Sequence, residues 1–326
     1  MANQDRLTAP QPPPAAEGTR LPWSAVPAPL RAEVERLLGG RVIRAVTQPG
    51  GFSPGVAARL LLTDGRRAFV KAVGDVNPDS PDIHRAEARI AAALPVSAPA
   101  ARLIASLDTD GWVILIFEDV DGRLPVQPWQ QAELSRVLDA MADLAVTLTP
   151  APIDAPPAAA RFRHLGRGWQ QLAAASSAGD GELADLDPWA RTRMRDLASL
   201  ETGWAAAVEG STLAHGDLRA DNILLARDMV VFVDWPWACI AQPWFDLVTM
   251  LPSVALNGGP PPESVLAAHP VARDADPGGV TAVVAALAGM FTYLGRQPDP
   301  PGLPTVRAFQ RAHGEVALAW LKARIT

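Results

Sequence analysis

Short apolar runs closed off by turn residues dominate positions 41–119. RVIRAVTQ (41–48), VAARLLLT (56–63) and RRAFVKAV (66–73) each have the length and β-branched content of a strand. Asp64-Gly65, between the second and third runs, is a strong hairpin signal. ARLIASLD (101–108) and WVILIFED (112–119) repeat the arrangement around Asp110-Gly111. Between these groups, DIHRAEARIAAAL (82–94) reads as a helix. The pattern predicts a five-stranded, mainly antiparallel lobe with one inserted helix. Ahead of it a helix is expected near 28–38, stopped by Gly39-Gly40. Residues 1–22 are rich in Pro and Ala without a hydrophobic period and are expected to form a disordered leader.

Beyond Gly122 the apolar spacing turns mainly helical. Helices are predicted near 128–148, 161–175, 187–208, 242–256, 278–294 and 304–324. Two short strands interrupt them, at 222–227 and 229–234, and the Pro-rich stretches 150–157 and 257–277 read as loops or insertions. The expected class is α+β with two lobes, 23–121 and 122–326. No uncharged apolar run of about 18 residues is expected, and so no membrane span. Asp5, Arg6 and the Pro run leave no signal-peptide core, so a cytoplasmic protein is expected.

Composition narrows the functional classes. With 326 residues, 48% of them hydrophobic, the chain can bury real cores and is not a disordered protein. Its one cysteine, Cys239, excludes an internal disulfide and reads as a small buried residue. The net charge of −6 is unevenly placed: residues 1–120 carry 13 acidic and 13 basic side chains, and residues 121–326 carry 22 and 16. That bias opposes nucleic-acid binding and suits either a solvated acidic surface or a cleft for a cationic substrate. Only two lysines occur, Lys71 within a strand-like run and Lys322, expected on the solvated face of the last helix.

The densest chemistry lies in LAHGDLRADNILLARDMVVFVDW, 213–235. A loop presents His215, Gly216 and Asp217, Asn222 follows where a strand begins, and the second strand ends in Asp234. Two carboxylates and an amide at the mouth of one hairpin offer hard oxygen ligands suited to Mg²⁺. One carboxylate is left over to orient or deprotonate a hydroxyl.

His-Gly-Asp-Leu-x-x-x-Asn, the hairpin and Asp234 resemble the aminoglycoside phosphotransferase family, which has the protein-kinase-like fold. The likeness covers about residues 40–325 and is most specific over 213–246. Protein kinases are more distant: Gly216 stands where they have Arg, and Trp235-Pro236 where they have Phe-Gly. Only eleven residues separate Asp234 from Asp246, which leaves no activation segment for a protein substrate.

The resemblance implies an ATP-dependent kinase acting on a hydroxyl of an aminoglycoside-like or other small molecule. It implies that Lys71 holds the α/β-phosphates and that Glu87 on the next helix orients it. Asn222 and Asp234 would bind Mg²⁺, Asp217 would take the acceptor proton, and Asp246 would brace the catalytic loop. QPGGFSPGVA (48–57) would cover the phosphates through Gly51 and Ser53, although Phe52 and Pro54 break the usual glycine pattern. Main-chain groups of Glu118 and Val120 would hold adenine. His215 reads as a brace for the loop, and Trp235, Trp237 and Trp244 as core or as pocket lining. The acidic excess, with Asp217, Asp221, Glu263, Asp274 and Asp276, suggests a cationic acceptor, whereas Arg219 would suit an anion or a ring. A nucleotide-binding regulatory module with little transfer activity stands as the alternative. Nothing in the sequence speaks to oligomeric state.

Overall fold

The computed structural model describes residues 20–51, 55–74, 80–177, 183, 185–301 and 303–325. Arg20–Leu21 (β1) already belongs to a sheet, pairing in parallel with Gly55–Val56. Residues 20–22 are therefore not part of a disordered leader, and the rest of that expectation, residues 1–19, lies outside the described residues. Leu21, Trp23 and Val26 pack into the first hydrophobic core, and that burial fixes the segment. Helix α1 (Ala28–Leu38) follows and ends at Gly39, whose φ of +63° is the left-handed cap a glycine supplies.

The first sheet has six strands, not five. After β1 come β2 (Val42–Thr47), β3 (Gly55–Leu62) and β4 (Arg67–Val73). Helix α2 (Ser80–Ala93) separates them from β5 (Leu103–Thr109) and β6 (Trp112–Glu118). The order is β2-β3-β4-β6-β5, antiparallel throughout, with β1 added beside β3. Alternation along β4 sorts its two faces. Ala68, Val70 and Ala72 are buried in the core that also holds Val26, Leu30 and Val34. Phe69, Lys71 and Val73 share the other face, where Val73 and Phe69 join the cluster beneath α2. Lys71 is thereby aimed toward α2.

At β7 (Gly122–Arg123) the chain changes sheets, because these residues pair with β9 (Ile223–Ala226) and not with β6. We keep 23–121 and 122–326 as the proposed lobe division, with β1 joined to the first. Helices α3 (Gln131–Thr147), α4 (Ala158–Arg161) and α5 (Gly168–Ser177) follow. The helix expected over 187–208 is three short pieces, α6 (Pro188–Thr192), α7 (Met194–Glu201) and α8 (Trp204–Ala207). Strand β8 (Thr212–Ala214) leads into the catalytic-loop sequence, β9 and β10 (Val230–Phe232) form the hairpin, and β11 (Cys239–Ala241) returns to β8. The last helices are α9 (Phe245–Leu256), α10 (Pro262–Ala268), α11 (Pro277–Leu294) and α12 (Val306–Ile325).

Two expectations need correction here. The stretch 257–277 is not a plain loop, since Pro262 opens α10 within its first turn, where a missing N–H costs nothing. Also, α11 is an uncharged helix long and apolar enough to cross a membrane, against the expectation of no such run. Its Val283, Val284, Ala285, Ala286 and Ala288 are fully buried, and it packs against α12, α5, α7 and α8. It is apolar all round because neighbouring helices surround it.

Candidate active site

A cavity of about 420 Å³ lies between the first sheet and the β9–β10 hairpin. Lys71 reaches into it from β4. Its Nζ donates to both carboxylate oxygens of Glu87, each at 2.8 Å, and to Oδ1 of Asp234 at 2.7 Å. The helical spacing of His84, Glu87 and Ala91 turns Glu87 toward the sheet, where it is buried. Burial works against the lysine charge, but Asp234 and Glu87 outweigh it and hold the Lys71 pKa above its ordinary value. Burial pushes Glu87 up, to about 7, against the pull of Lys71. Asp234 is held below the usual carboxylate range because Lys71 overcomes its own desolvation. The Asp234 backbone has a φ of +70°, uncommon for a residue other than glycine. Such strain recurs at functional sites.

The loop that carries His215, Gly216 and Asp217 is built on buried hydrogen bonds. Asp246, in the first turn of α9, accepts from the backbone N–H of His215 at 2.7 Å and of Gly216 at 2.8 Å. Burial raises its pKa to about 6 in spite of those donors. The His215 Nε2–H faces the Val233 carbonyl at 2.9 Å, and its Nδ1 accepts from the Asp217 N–H at 3.3 Å. Those contacts fix one neutral tautomer, and burial drops its pKa to about 4. His215 is a brace. Gly216 has a φ of +82°, and a Cβ there would stand 2.5 Å from the Trp237 carbonyl oxygen.

Asn222 lines the cavity, and its Nδ2 donates to the carbonyl of Asp217, which stands behind that lining, at 2.7 Å. Burial raises the Asp217 pKa to about 7, with Arg219 pulling against it. Arg219 bonds Oδ1 of Asp217 and forms a fork onto Asp221 with both contacts at 3.1 Å. Its guanidinium also lies 5.5 Å from the Phe309 ring centre, so α12 covers this loop.

Of the residues expected at the nucleotide, Gly51, Lys71, Glu87, Glu118, Val120, Asn222 and Asp234 all line the one cavity. Ser53 lies outside the described residues. The Glu118 N–H is spent on the Arg102 carbonyl at 2.9 Å, and the Val120 carbonyl accepts from Gly122 at 2.9 Å. The Val120 N–H has no protein partner among the described residues, and Glu118 ends β6 opposite Ala68 of β4. Asp119 between them is clamped by Arg59 at 3.1 Å and Arg67 at 3.0 Å, which stiffens this edge. For a divalent cation, Asp234 Oδ2 and Asn222 Oδ1 remain without a protein donor among the described residues. Hard, oxygen-only donors of this kind fit Mg²⁺.

The readings of Glu263, Asp276 and Lys322 change, while Cys239, Trp235 and Trp244 are buried as expected. Glu263 accepts from Trp320 Nε1 at 2.7 Å and pairs with Arg324, while Asp276 caps α11 through the Gly279 N–H at 2.7 Å. Both acids have structural tasks. Lys322 is not simply solvated, because it bonds Asp187 at 2.6 Å. Trp235 and Trp244 are buried, and Trp235 donates to the Phe232 carbonyl at 2.9 Å. Cys239 is buried, which drives its thiol pKa upward. The residue missed outright is Arg20, which lines the cavity beside Gly50 and Gly51. Its only sequence signal was a lone Arg before the first apolar residues.

A phosphotransferase site is the class these features define. The profile of the phosphotransferase enzyme family matches residues 50–283, over two thirds of the chain, and the chain belongs to that family. The protein-kinase-like fold is shared with distant solved structures. The choline kinase LicA from Streptococcus pneumoniae is 14% identical, with a TM-score of 0.60, covering 90% of this chain and 98% of its own. A thermostable mutant of the aminoglycoside phosphotransferase APH(4)-Ia, in ternary complex with ADP and hygromycin B, is 11% identical with a TM-score of 0.58, covering 91% and 99%. A putative fructosamine-3-kinase from Thermobifida fusca is 19% identical with a TM-score of 0.55, covering 90% and 98%. No curated protein matches the chain by sequence.

Proposed function

We propose that this protein transfers the γ-phosphoryl group of ATP to a hydroxyl of a small molecule. The observation that carries the reading is Lys71, held by Glu87 and Asp234 in one cavity whose Asn222 bonds Asp217, a carboxyl that burial raises to about 7. Phosphoryl transfer relies on positioning and on neutralising charge more than on covalent chemistry by the protein. Lys71 would bind the α/β-phosphates, with Glu87 fixing its ammonium. Gly51 would bring backbone close to the phosphates. The Glu118 carbonyl and Val120 N–H would receive the adenine edge. Asn222 and Asp234 would hold Mg²⁺, which when bound offsets phosphate charge.

Asp217 takes the acceptor's proton. Its Oδ1 is engaged by Arg219, and Oδ2 has only the Asn222 amide near it, at 3.4 Å. As Oδ2 accepts that proton, the acceptor oxygen bonds to the γ-phosphorus. The bond from that phosphorus to the bridging oxygen breaks, and ADP leaves with the electron pair. Asp246 and His215 keep the loop in place throughout.

The acceptor is a hydroxylated metabolite or antibiotic, and the acidic excess of residues 121–326 favours an amine-bearing one. The distant structures include kinases named for choline and fructosamine and a complex with hygromycin B, so amine-bearing acceptors belong in any panel. The test is ADP release with MgATP across amino alcohols, aminoglycosides and neutral and anionic hydroxyl compounds, with products weighed by mass spectrometry. A product 80 Da heavier than its acceptor is expected, with a KM that rises with ionic strength if the acceptor is cationic. Tight MgATP binding with no phosphorylated product across the panel would leave the regulatory-module reading instead.

A further inference from the structure

The cavity holds a cation that the catalytic motifs do not supply. Arg20 comes from β1, ahead of the first helix, and its Nε and Nη2 both donate to the Gly50 carbonyl, the former at 3.0 Å. Its own backbone pairs with Gly55. One residue therefore grips both sides of the turn expected to cover the phosphates. The segment cannot drift away, because Leu21, Trp23 and Val26 root it in the first core. Gly51 matches this approach: its φ is +78°, and a Cβ there would fall 2.7 Å from Arg20 Nη2. The guanidinium lines the same cavity as Lys71, Asn222 and Asp234, and it feels the charges of both Asp234 and Asp221.

We propose that Arg20 binds the polyphosphate of the nucleotide, as a second cation opposite Lys71. The inference rests on the nucleotide reading of this cavity. Five carboxyl residues line the cavity (Glu87, Glu118, Asp119, Asp221 and Asp234), against Arg20, Arg59, Lys71 and Arg123. Without Arg20 the site carries one more uncompensated negative charge just where a polyanion must enter. A guanidinium already bonded to the Gly50 carbonyl has N–H groups fixed in a plane, the geometry suited to phosphate oxygens. Arg20 thus couples loop position to phosphate binding.

The test is calorimetric titration of the full chain, as wild type, Arg20→Gln and Arg20→Lys, with MgATP, MgADP and adenosine. Arg20→Gln is expected to weaken MgATP by roughly 10- to 100-fold, the range for a lost charge-assisted contact. MgADP should weaken less, and adenosine should be unchanged. Arg20→Lys should recover part of the MgATP loss, since it keeps the charge. If wild type binds MgATP and Arg20→Gln binds it equally well, the proposal is overturned while the nucleotide site stands. An equal loss for adenosine and MgATP would reduce Arg20 to a prop for the loop and also overturn it. Failure of wild type to bind MgATP would instead sink the nucleotide reading itself.

Discussion

Raising pH from 5 to 8 should switch the enzyme on through Asp217. An ordinary aspartate would be about nine-tenths ionised at pH 5, and turnover would be nearly flat above it. Burial lifts Asp217 to about 7, so it is protonated below that value and gains its function as a base only above it. At pH 5 about 1% remains ionised, and kcat/KM should stand roughly 100-fold below its plateau. ADP release at constant ionic strength, with an acceptor found by the panel, gives the profile. Glu87, also near 7, must be separated from Asp217. Its protonation would loosen Lys71 and appear in nucleotide affinity, so MgATP binding is measured over the same range. Asp217→Asn should cost about 10²- to 10⁴-fold in turnover and erase the acid limb, with MgATP binding largely kept. Arg219→Gln removes the charge that pulls Asp217 down, so the limb should move to higher pH. An acid limb centred near pH 4, or one that survives in Asp217→Asn, would refute the assignment.

Four further substitutions probe other groups. Asp234→Ala should abolish the strengthening of ATP binding by Mg²⁺, and calorimetry showing the wild-type metal effect would contradict its role as ligand. Lys71→Ala should raise KM for ATP and lower turnover, while Lys322→Ala should leave both alone and cost about 0.5–1 kcal/mol of stability through its lost pair with Asp187; matching kinetic losses from the two would mean the first lobe is misread. Asp246→Ala strands the His215 and Gly216 N–H groups in a buried setting and should destabilise the fold by about 2–4 kcal/mol, which an unchanged denaturation midpoint would disprove.

Side chains that alternate or repeat over many residues were legible before any coordinates. The five longer strands of the first sheet fall within about two residues of their expected bounds; β3, β4 and β6 carry runs of buried positions, while β2 and β5, with none, are bounded by the turn residues at their ends. The loop of His215, Gly216 and Asp217 stood out for another reason: its residue types and spacing match the motif of the family to which the chain belongs. Arg20–Leu21 escaped because two residues hold no period and their partner lies some 35 residues on. The helix expected over 187–208 breaks around Arg193 and Thr202-Gly203, where tertiary packing overrides a continuous apolar spacing. In α11 the error ran the other way. A helix enclosed by protein and one enclosed by lipid have the same composition, and only the neighbours tell them apart.

The shared grip of Asp234 and Glu87 on Lys71 has a consequence for how ligands arrive. Phosphate cannot take the ammonium without contesting Asp234, and a cation cannot take both oxygens of Asp234 without contesting Lys71. On the proposed reading, each ligand removes the other's competitor. Metal and nucleotide then enter with positive cooperativity, and by linkage each must tighten the other by the same factor. An anion arriving without a metal finds the Lys71 ammonium already taken by Glu87 and Asp234.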